Sequence, residues 1–321
     1  MTELLISAVA TFVAAPFVRR IMLRQGVLDV PNHRSSHSVP TPRGGGLACL
    51  IGIVAAAIVA QVMGRPMPWV FVAGAVVLSV VGFADDRLGL SPLPRLAAQF
   101  AVGALMGSAL GGGWWFLAAV LVVPLSVNVV NFMDGINGIT SLTIACWGVT
   151  ALLVGNADRI PTLALIGAVT AGASLGFLPW NAPVARIFLG DVGSYLLGGL
   201  VASGTLIGIA NGASSALLLA PMTLFAVDTG TVLARRAKRG SPLFEAHREH
   251  IYQRLVGESG LPHFAIALSI AGLSALLTIM WSVAEGWIAL AATAAVIAVY
   301  VISPRAIKRL TNSVRNRALS M

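Results

Sequence analysis

Apolar runs dominate the chain and are broken at short intervals by glycine, proline or charge. A helix that crosses a bilayer needs about 20 predominantly apolar residues, with ~17 as the lower end. On that measure the pattern predicts eleven helical spans, at 3–23, 45–63, 68–84, 95–110, 114–130, 138–155, 161–178, 193–210, 214–233, 263–283 and 286–303. The fourth and fifth are short and separated only by Gly111, Gly112 and Gly113, which makes them a tight hairpin. No basic segment precedes the first run and no small-residue cleavage pattern follows it, so it reads as a retained span. The expected fold class is an all-α polytopic integral membrane protein, one membrane-embedded domain over residues 1–321.

Orientation follows from the positions of Lys and Arg. With the N-terminus outside and the C-terminus cytoplasmic, nineteen of the 21 positive residues fall inside, leaving only Arg65 and Arg159 outside. The outer connections are short and bland. The inner segments 24–44, 85–95, 131–138, 179–193 and 234–262 are longer and rich in Asp, Asn, His, Arg and Gly. The chemistry is therefore expected at the cytoplasmic face.

Composition narrows the class further. Hydrophobic residues make up 57% of the chain and charged residues 10%, with a mean hydropathy of +0.87. A soluble globular chain carries roughly a quarter charged residues, so soluble, disordered, collagen-like and nucleic-acid-binding classes are excluded. The positive-inside effect accounts for the net charge of +9 without a nucleic-acid partner. Cys49 and Cys146 lie inside apolar runs without Cys-x-x-Cys or Cys/His spacing, as small buried hydrophobes do.

The inner segments carry five polar constellations. The stretch from Asp29 to Gly46 contains Arg34, His37 and Arg43, able to bind an anion or simply to touch headgroups. Asp85 and Asp86 are adjacent carboxylates, which repel unless a cation lies between them. A divalent metal with phosphate ligands is the usual reason for such a pair at an interface, and a solvated cap paired with Arg87 is the plainer one. Asn128, Asn131 and Asp134 lie at i, i+3 and i+6, with Asn137 a step further, which on a helix forms one polar stripe. Between Asn181 and Gly190-Asp191-Val-Gly193-Ser194 a helix begins; its amides favour anions, and Asp191 either holds a cation or caps the helix. In 234–262, a basic run able to anchor at the lipid surface precedes His247, Arg248, His250 and Arg254. On a short helix His247, His250 and Arg254 would share a face, open to a metal but better suited, with its adjacent arginines, to diphosphate or sugar. Asp228, an acid inside the ninth span, is a functional candidate by its depth alone.

Taken in order, these segments resemble the polyprenyl-phosphate N-acetylhexosamine-1-phosphate transferases, which include the phospho-MurNAc-pentapeptide translocases. The resemblance covers about Asp29 to Leu255. It rests on D-x-P-N-x-R with P-x-x-x-G-G, the Asp85-Asp86 pair, N-x-x-N-x-x-D-G-x-x-G at 128–138, N-x(8)-G-D-x-G-S at 181–194, and the histidine loop. It implies transfer of a sugar 1-phosphate from a UDP-N-acetylhexosamine to undecaprenyl phosphate, with release of UMP and dependence on Mg²⁺ or Mn²⁺. It implies Asp191 and Asp86 as metal ligands, and Asp85, Asp86 and Asp134 as catalytic residues. Asn131, Asn137, Asn181, His247, Arg248, His250, Arg34 and His37 are the implied substrate contacts. Implied partners are the two substrates and the bilayer of a bacterial inner membrane, with a second copy of the chain as a further candidate.

Three departures point away from the peptidoglycan branch and toward O-antigen and capsule synthesis. Translocases carry Asp where this chain has Asn137 and Lys where it has His37, and their H-x-H-H reads His250-Ile-Tyr252-Gln253 here. An ion-coupled secondary transporter is the alternative for a chain with intramembrane acids. Transporters place such groups near the midplane and often show repeats, whereas here most acids gather at inner helix ends and no repeat is visible.

Overall fold

The computed structural model describes residues 1–31, 39–241 and 248–319, with side chains described as far as residue 309. The first helix, α1 (Thr2–Arg24), leads into a ribbon of β1 (Leu28–Asp29) and β2 (Thr41–Pro42). The ribbon is antiparallel, with Leu28 opposite Pro42 and Asp29 opposite Thr41. Then follow α2 (Gly46–Val62), α3 (Trp69–Leu88), α4 (Pro92–Ala109), α5 (Trp114–Met133), α6 (Ile139–Ala157), α7 (Pro161–Asn181) and α8 (Gly190–Ala210). The chain continues through α9 (Ser215–Leu219), a 3₁₀ turn (Ala220–Met222), α10 (Thr223–Lys238), α11 (Ile251–Ser259), α12 (His263–Val283) and α13 (Gly286–Leu319).

Each of the eleven predicted runs is helical. Among the described residues nine helical stretches are long and apolar enough to cross a membrane. The other two are α2, apolar but of 17 residues, and α4, whose Arg95 and Gln99 lower its hydropathy. The ninth span is one stretch, Ser215–Lys238, interrupted by the 3₁₀ turn at Pro221, which has no N–H to give the helical ladder. Gly111, Gly112 and Gly113 all adopt positive φ, which lets α4 reverse directly into α5.

The helices run further at their inner ends than hydropathy alone predicts. Helix α3 continues through Asp85 and Asp86 until Gly89 turns left-handed, α5 continues past Asn131, and α8 starts early enough to hold Asp191 in its first turn. Leaving the hydrocarbon does not end a helix; a backbone signal does. Segments expected as loops at 85–95, 131–138 and 234–262 are thus partly helix ends.

Two predicted helical alignments are corrected. Helix α5 stops at Met133, Asp134 has left helical geometry at φ −82° and ψ 54°, and Asn137 lies in the following turn. The polar stripe therefore ends at Asn131. His250 is the N-cap of α11 and not part of a helical face.

Packing follows the logic of a membrane interior, where bringing leucines together gains little and small residues let backbones approach. Helix α1 turns Glu3, Ser7, Thr11 and Ala15 inward and Leu5, Val9, Phe12 and Phe17 outward. Its partner α7 supplies Gly172 and Gly176, where an added Cβ would come within 2.3 and 2.2 Å of α1 carbonyl oxygens. Residues 192–208 of α8 are all buried, and α3, α5, α7 and α2 pack around this central helix.

Candidate active site

The site is assembled where α8 begins. The strap before α2 donates Gly45 N to Phe188 O and Gly46 N to Leu189 O, both at 2.8 Å. A Cβ on Gly46 would lie 2.1 Å from Gly193 Cα, and one on Gly82 of α3 would lie 2.2 Å from Asp191 O. Three helices meet here backbone to backbone, and only glycine allows it.

That contact sets the carboxylates in place. Asp86, 2% exposed, accepts a hydrogen bond on Oδ2 from Val192 N at 3.0 Å. Arg43 binds the carbonyl of Asp86, and its Nε lies 3.7 Å from Oδ1. Asp191 faces Asp85 and Asp86 and accepts from Asn131 Nδ2 at 2.7 Å. The same amide lies 3.0 Å from Ser194 Oγ. Asp85 is held on both oxygens, by Leu90 N at 2.9 Å on Oδ1 and on Oδ2 by Arg95 at 2.7 Å and the Tyr195 hydroxyl at 3.2 Å.

A second layer closes over this cluster. Asn181 accepts from Gly138 N at 2.7 Å and donates to Ile187 O at 3.3 Å, so it ties the 134–138 turn to the 182–189 loop. Asn137 donates to Pro183 O at 3.0 Å across the same gap. Tyr252 stands where the family pattern has histidine. Its hydroxyl oxygen would lie 2.1 Å from a Cβ on Gly135 and donates to Phe132 O at 3.3 Å. Burial pushes its phenol well up, with the charges of Asp228 and Asp134 adding, so it stays protonated. Burial likewise pushes the Asp134 carboxyl up to about 7; the nearby Thr140 hydroxyl opposes this and the charge of Asp86 reinforces it.

The structure thus brings Asp85, Asp86, Asp191 and Asn131 together, with Asp134 near enough to feel the charge of Asp86. His250 is placed apart, buried beside Asp228 at 3.0 Å, and Arg248 is exposed two residues before it. Arg34, His37 and His247 lie outside the described residues. Sequence reasoning missed Arg95 and Tyr195; the available signal for Arg95 was an arginine opening an apolar span ten residues after Asp85.

Among the described residues no three His, Cys, Asp or Glu side chains converge closely enough to cage a metal unaided. Mg²⁺ seldom uses such a cage and is held by one or two carboxylates together with substrate phosphate and water. Two oriented carboxylates, Asp86 and Asp191, with amide and hydroxyl oxygen nearby, are a hard-oxygen donor set that fits this ion.

Comparison with known proteins identifies the family. Residues 68–209 match the profile of glycosyl transferase family 4. A decaprenyl-phosphate N-acetylglucosaminephosphotransferase of Mycobacterium tuberculosis is 33% identical, across 83% of this chain and 78% of its own. A probable undecaprenyl-phosphate N-acetylglucosaminyl 1-phosphate transferase of Bacillus subtilis is 27% identical across 81% and 77%. A phospho-N-acetylmuramoyl-pentapeptide-transferase of Symbiobacterium thermophilum is 32% identical across 60% and 67%. Because the likeness spans the helices that carry Asp85, Asp86, Asn131 and Asp191, the chain belongs to glycosyl transferase family 4, among the polyprenyl-phosphate N-acetylhexosamine-1-phosphate transferases.

Proposed function

We propose that this membrane enzyme transfers an N-acetylhexosamine 1-phosphate from a UDP-sugar to undecaprenyl phosphate and releases UMP. In this reading the site faces the cytoplasm of a bacterial inner membrane, and the product starts an O-antigen or other cell-surface polysaccharide. The observation that carries it is the cluster of Asp85, Asp86 and Asp191 held at one end of the helix bundle by Asn131, Arg95, Arg43 and the Val192 amide. Relatives named for sugar-phosphate transfer to polyprenyl phosphates support it.

An oxygen of the acceptor phosphate attacks the sugar-bearing β-phosphorus. The bond from that phosphorus to the bridging oxygen breaks, and the oxygen leaves with UMP. Such transfers need positioning and charge stabilisation more than covalent help, which suits a site of acids, amides and arginines. Asp191 and Asp86 would hold Mg²⁺ or Mn²⁺, whose charge offsets that of the diphosphate. Asn131 orients Asp191. Arg95 keeps Asp85 turned toward α4, where Asp85 positions the acceptor or takes its proton. Asn137 and Asn181 fix the turn that would lie beside the nucleotide. Arg34, His37, His247 and Arg248 would add donors to phosphate and sugar, and His250 would contact substrate through Nε2, an acceptor while Asp228 holds the proton on Nδ1.

The test uses purified protein, undecaprenyl phosphate and a panel of UDP-N-acetylhexosamines, with UMP release as the readout. Metal-dependent release from one donor, lost in EDTA and in Asp191→Asn, is the expected outcome. Folded protein that releases no UMP from any donor would overturn the reading.

A further inference from the structure

Asp228 lies outside the carboxylate cluster, inside the membrane-spanning stretch, and is wholly buried. A carboxylate at that depth is costly unless every lone pair is used. Here all four acceptor positions are filled. Oδ1 takes His250 Nδ1 at 3.0 Å and Ile251 N at 2.9 Å. Oδ2 takes Tyr252 N at 3.1 Å and the Tyr300 hydroxyl at 2.7 Å.

The four donors come from two places. Three are consecutive residues, the N-cap and first turn of α11, whose amides would otherwise lack helical partners. The fourth is on α13, from the C-terminal end of the chain. One buried carboxylate thereby joins α10, α11 and α13. A carboxylate offers no proton, so Nδ1 of His250 carries it and the ring's tautomer is set from behind. The two clamped amides also place Tyr252, whose hydroxyl reaches Phe132 O beside Gly135 in the turn after α5.

We propose that Asp228 is a positioning residue for the transferase site: it orients His250 and Tyr252 through the start of α11, and Tyr300 makes the C-terminal helix part of that frame. This rests on the transfer reaction proposed above. Asparagine cannot take over the role, because either orientation of its amide sets an NH₂ against a backbone N–H, of Ile251 or of Tyr252.

The full-length chain in detergent would be compared as wild type, Asp228→Asn, Tyr300→Phe, His250→Ala and the Asp228→Asn/His250→Ala double variant. Two readouts are used: UMP release, resolved into kcat and KM for the donor, and hydrogen exchange at the amides of residues 251 and 252. Asp228→Asn is expected to lower kcat at least about tenfold, the scale seen when an outer partner of a site histidine is removed, with donor KM changed less than about threefold. Tyr300→Phe should cost less, about threefold. The double variant should fall by clearly less than the product of the two single losses, because the share of the Asp228→Asn loss that passes through the His250 ring is already gone in His250→Ala. Exchange at the two amides should speed up in Asp228→Asn.

Additive losses in the double variant, or unchanged kcat and unchanged exchange in Asp228→Asn, would overturn the inference. Should Asp228→Asn not fold, the cycle of Tyr300→Phe with His250→Ala decides the matter by the same non-additivity. A wild-type chain that turns over no donor overturns the proposed reaction instead, and the exchange measurement still decides whether the clamp exists.

Discussion

The Asp134 carboxyl is held near neutrality by its surroundings, and this has a measurable consequence at the scale of a single residue. Its pKa is raised from 3.8 to about 7 in the fold, chiefly by burial. The folded chain therefore binds this proton more tightly than the unfolded chain does. The associated stability is fully present below about pH 4 and is lost as pH rises through about 7. Asp134→Asn removes the titration. In EDTA, the wild-type melting temperature should fall relative to the variant between pH 4.5 and 7, and the two curves should run parallel above that. Parallel curves across the whole range would mean that the carboxyl titrates as an ordinary surface acid.

At the scale of elements, the apolar periodicity made the helices legible, because any segment that crosses lipid must satisfy its backbone internally. It did not show where they stop at the polar end. Asp85 and Asp86 looked like loop residues because they are charged, yet the chain stays helical until Gly89 ends α3. The motifs marked most of the candidate site, but their mutual contacts were invisible: nothing in sequence spacing says that Gly46, Gly82 and Gly193 bring α2, α3 and α8 into backbone contact. Nor could it reveal that Asn181 and Asn137 tie two loops to each other, or that Tyr300, some seventy residues from Asp228, meets it. The glycine contact is testable. Gly82→Ala forces α3 away from α8, an overpacking that costs about 1–3 kcal/mol and displaces Asp86 from Val192 N. Its melting temperature and UMP release should both drop. Gly257→Ala, on the exposed face of α11 with open space around it, should leave activity unchanged and gain up to ~1 kcal/mol of helix propensity. Equal stability of Gly82→Ala and wild type would mean that the two helices do not approach so closely.

For the whole molecule, the helices sort polar groups to two ends with different chemistry. At one end Arg87 reaches Gln25 at 3.1 Å, Arg43 meets Asp86, and Tyr252 meets Phe132. At the other, Arg65 pairs with the buried Glu3 beside a cavity of about 230 Å³ lined by Met1, Asn156 and Pro161. Helix α13 brings Tyr300 to Asp228, whose partners at the start of α11 lie toward the end that holds the site. The proposed reaction, drawing on a cytoplasmic UDP-sugar, calls for that end to face inward, as the positive-inside distribution of Lys and Arg also does. Single cysteines in a Cys49→Ala/Cys146→Ala background test this directly. In intact spheroplasts an impermeant maleimide should label Ala157→Cys, at the end of α6, and should label Lys238→Cys, at the end of α10, only after the membrane is opened. The reverse pattern would put the carboxylate cluster on the outer face, beyond reach of a cytoplasmic nucleotide sugar, and the proposed reaction would fail with it.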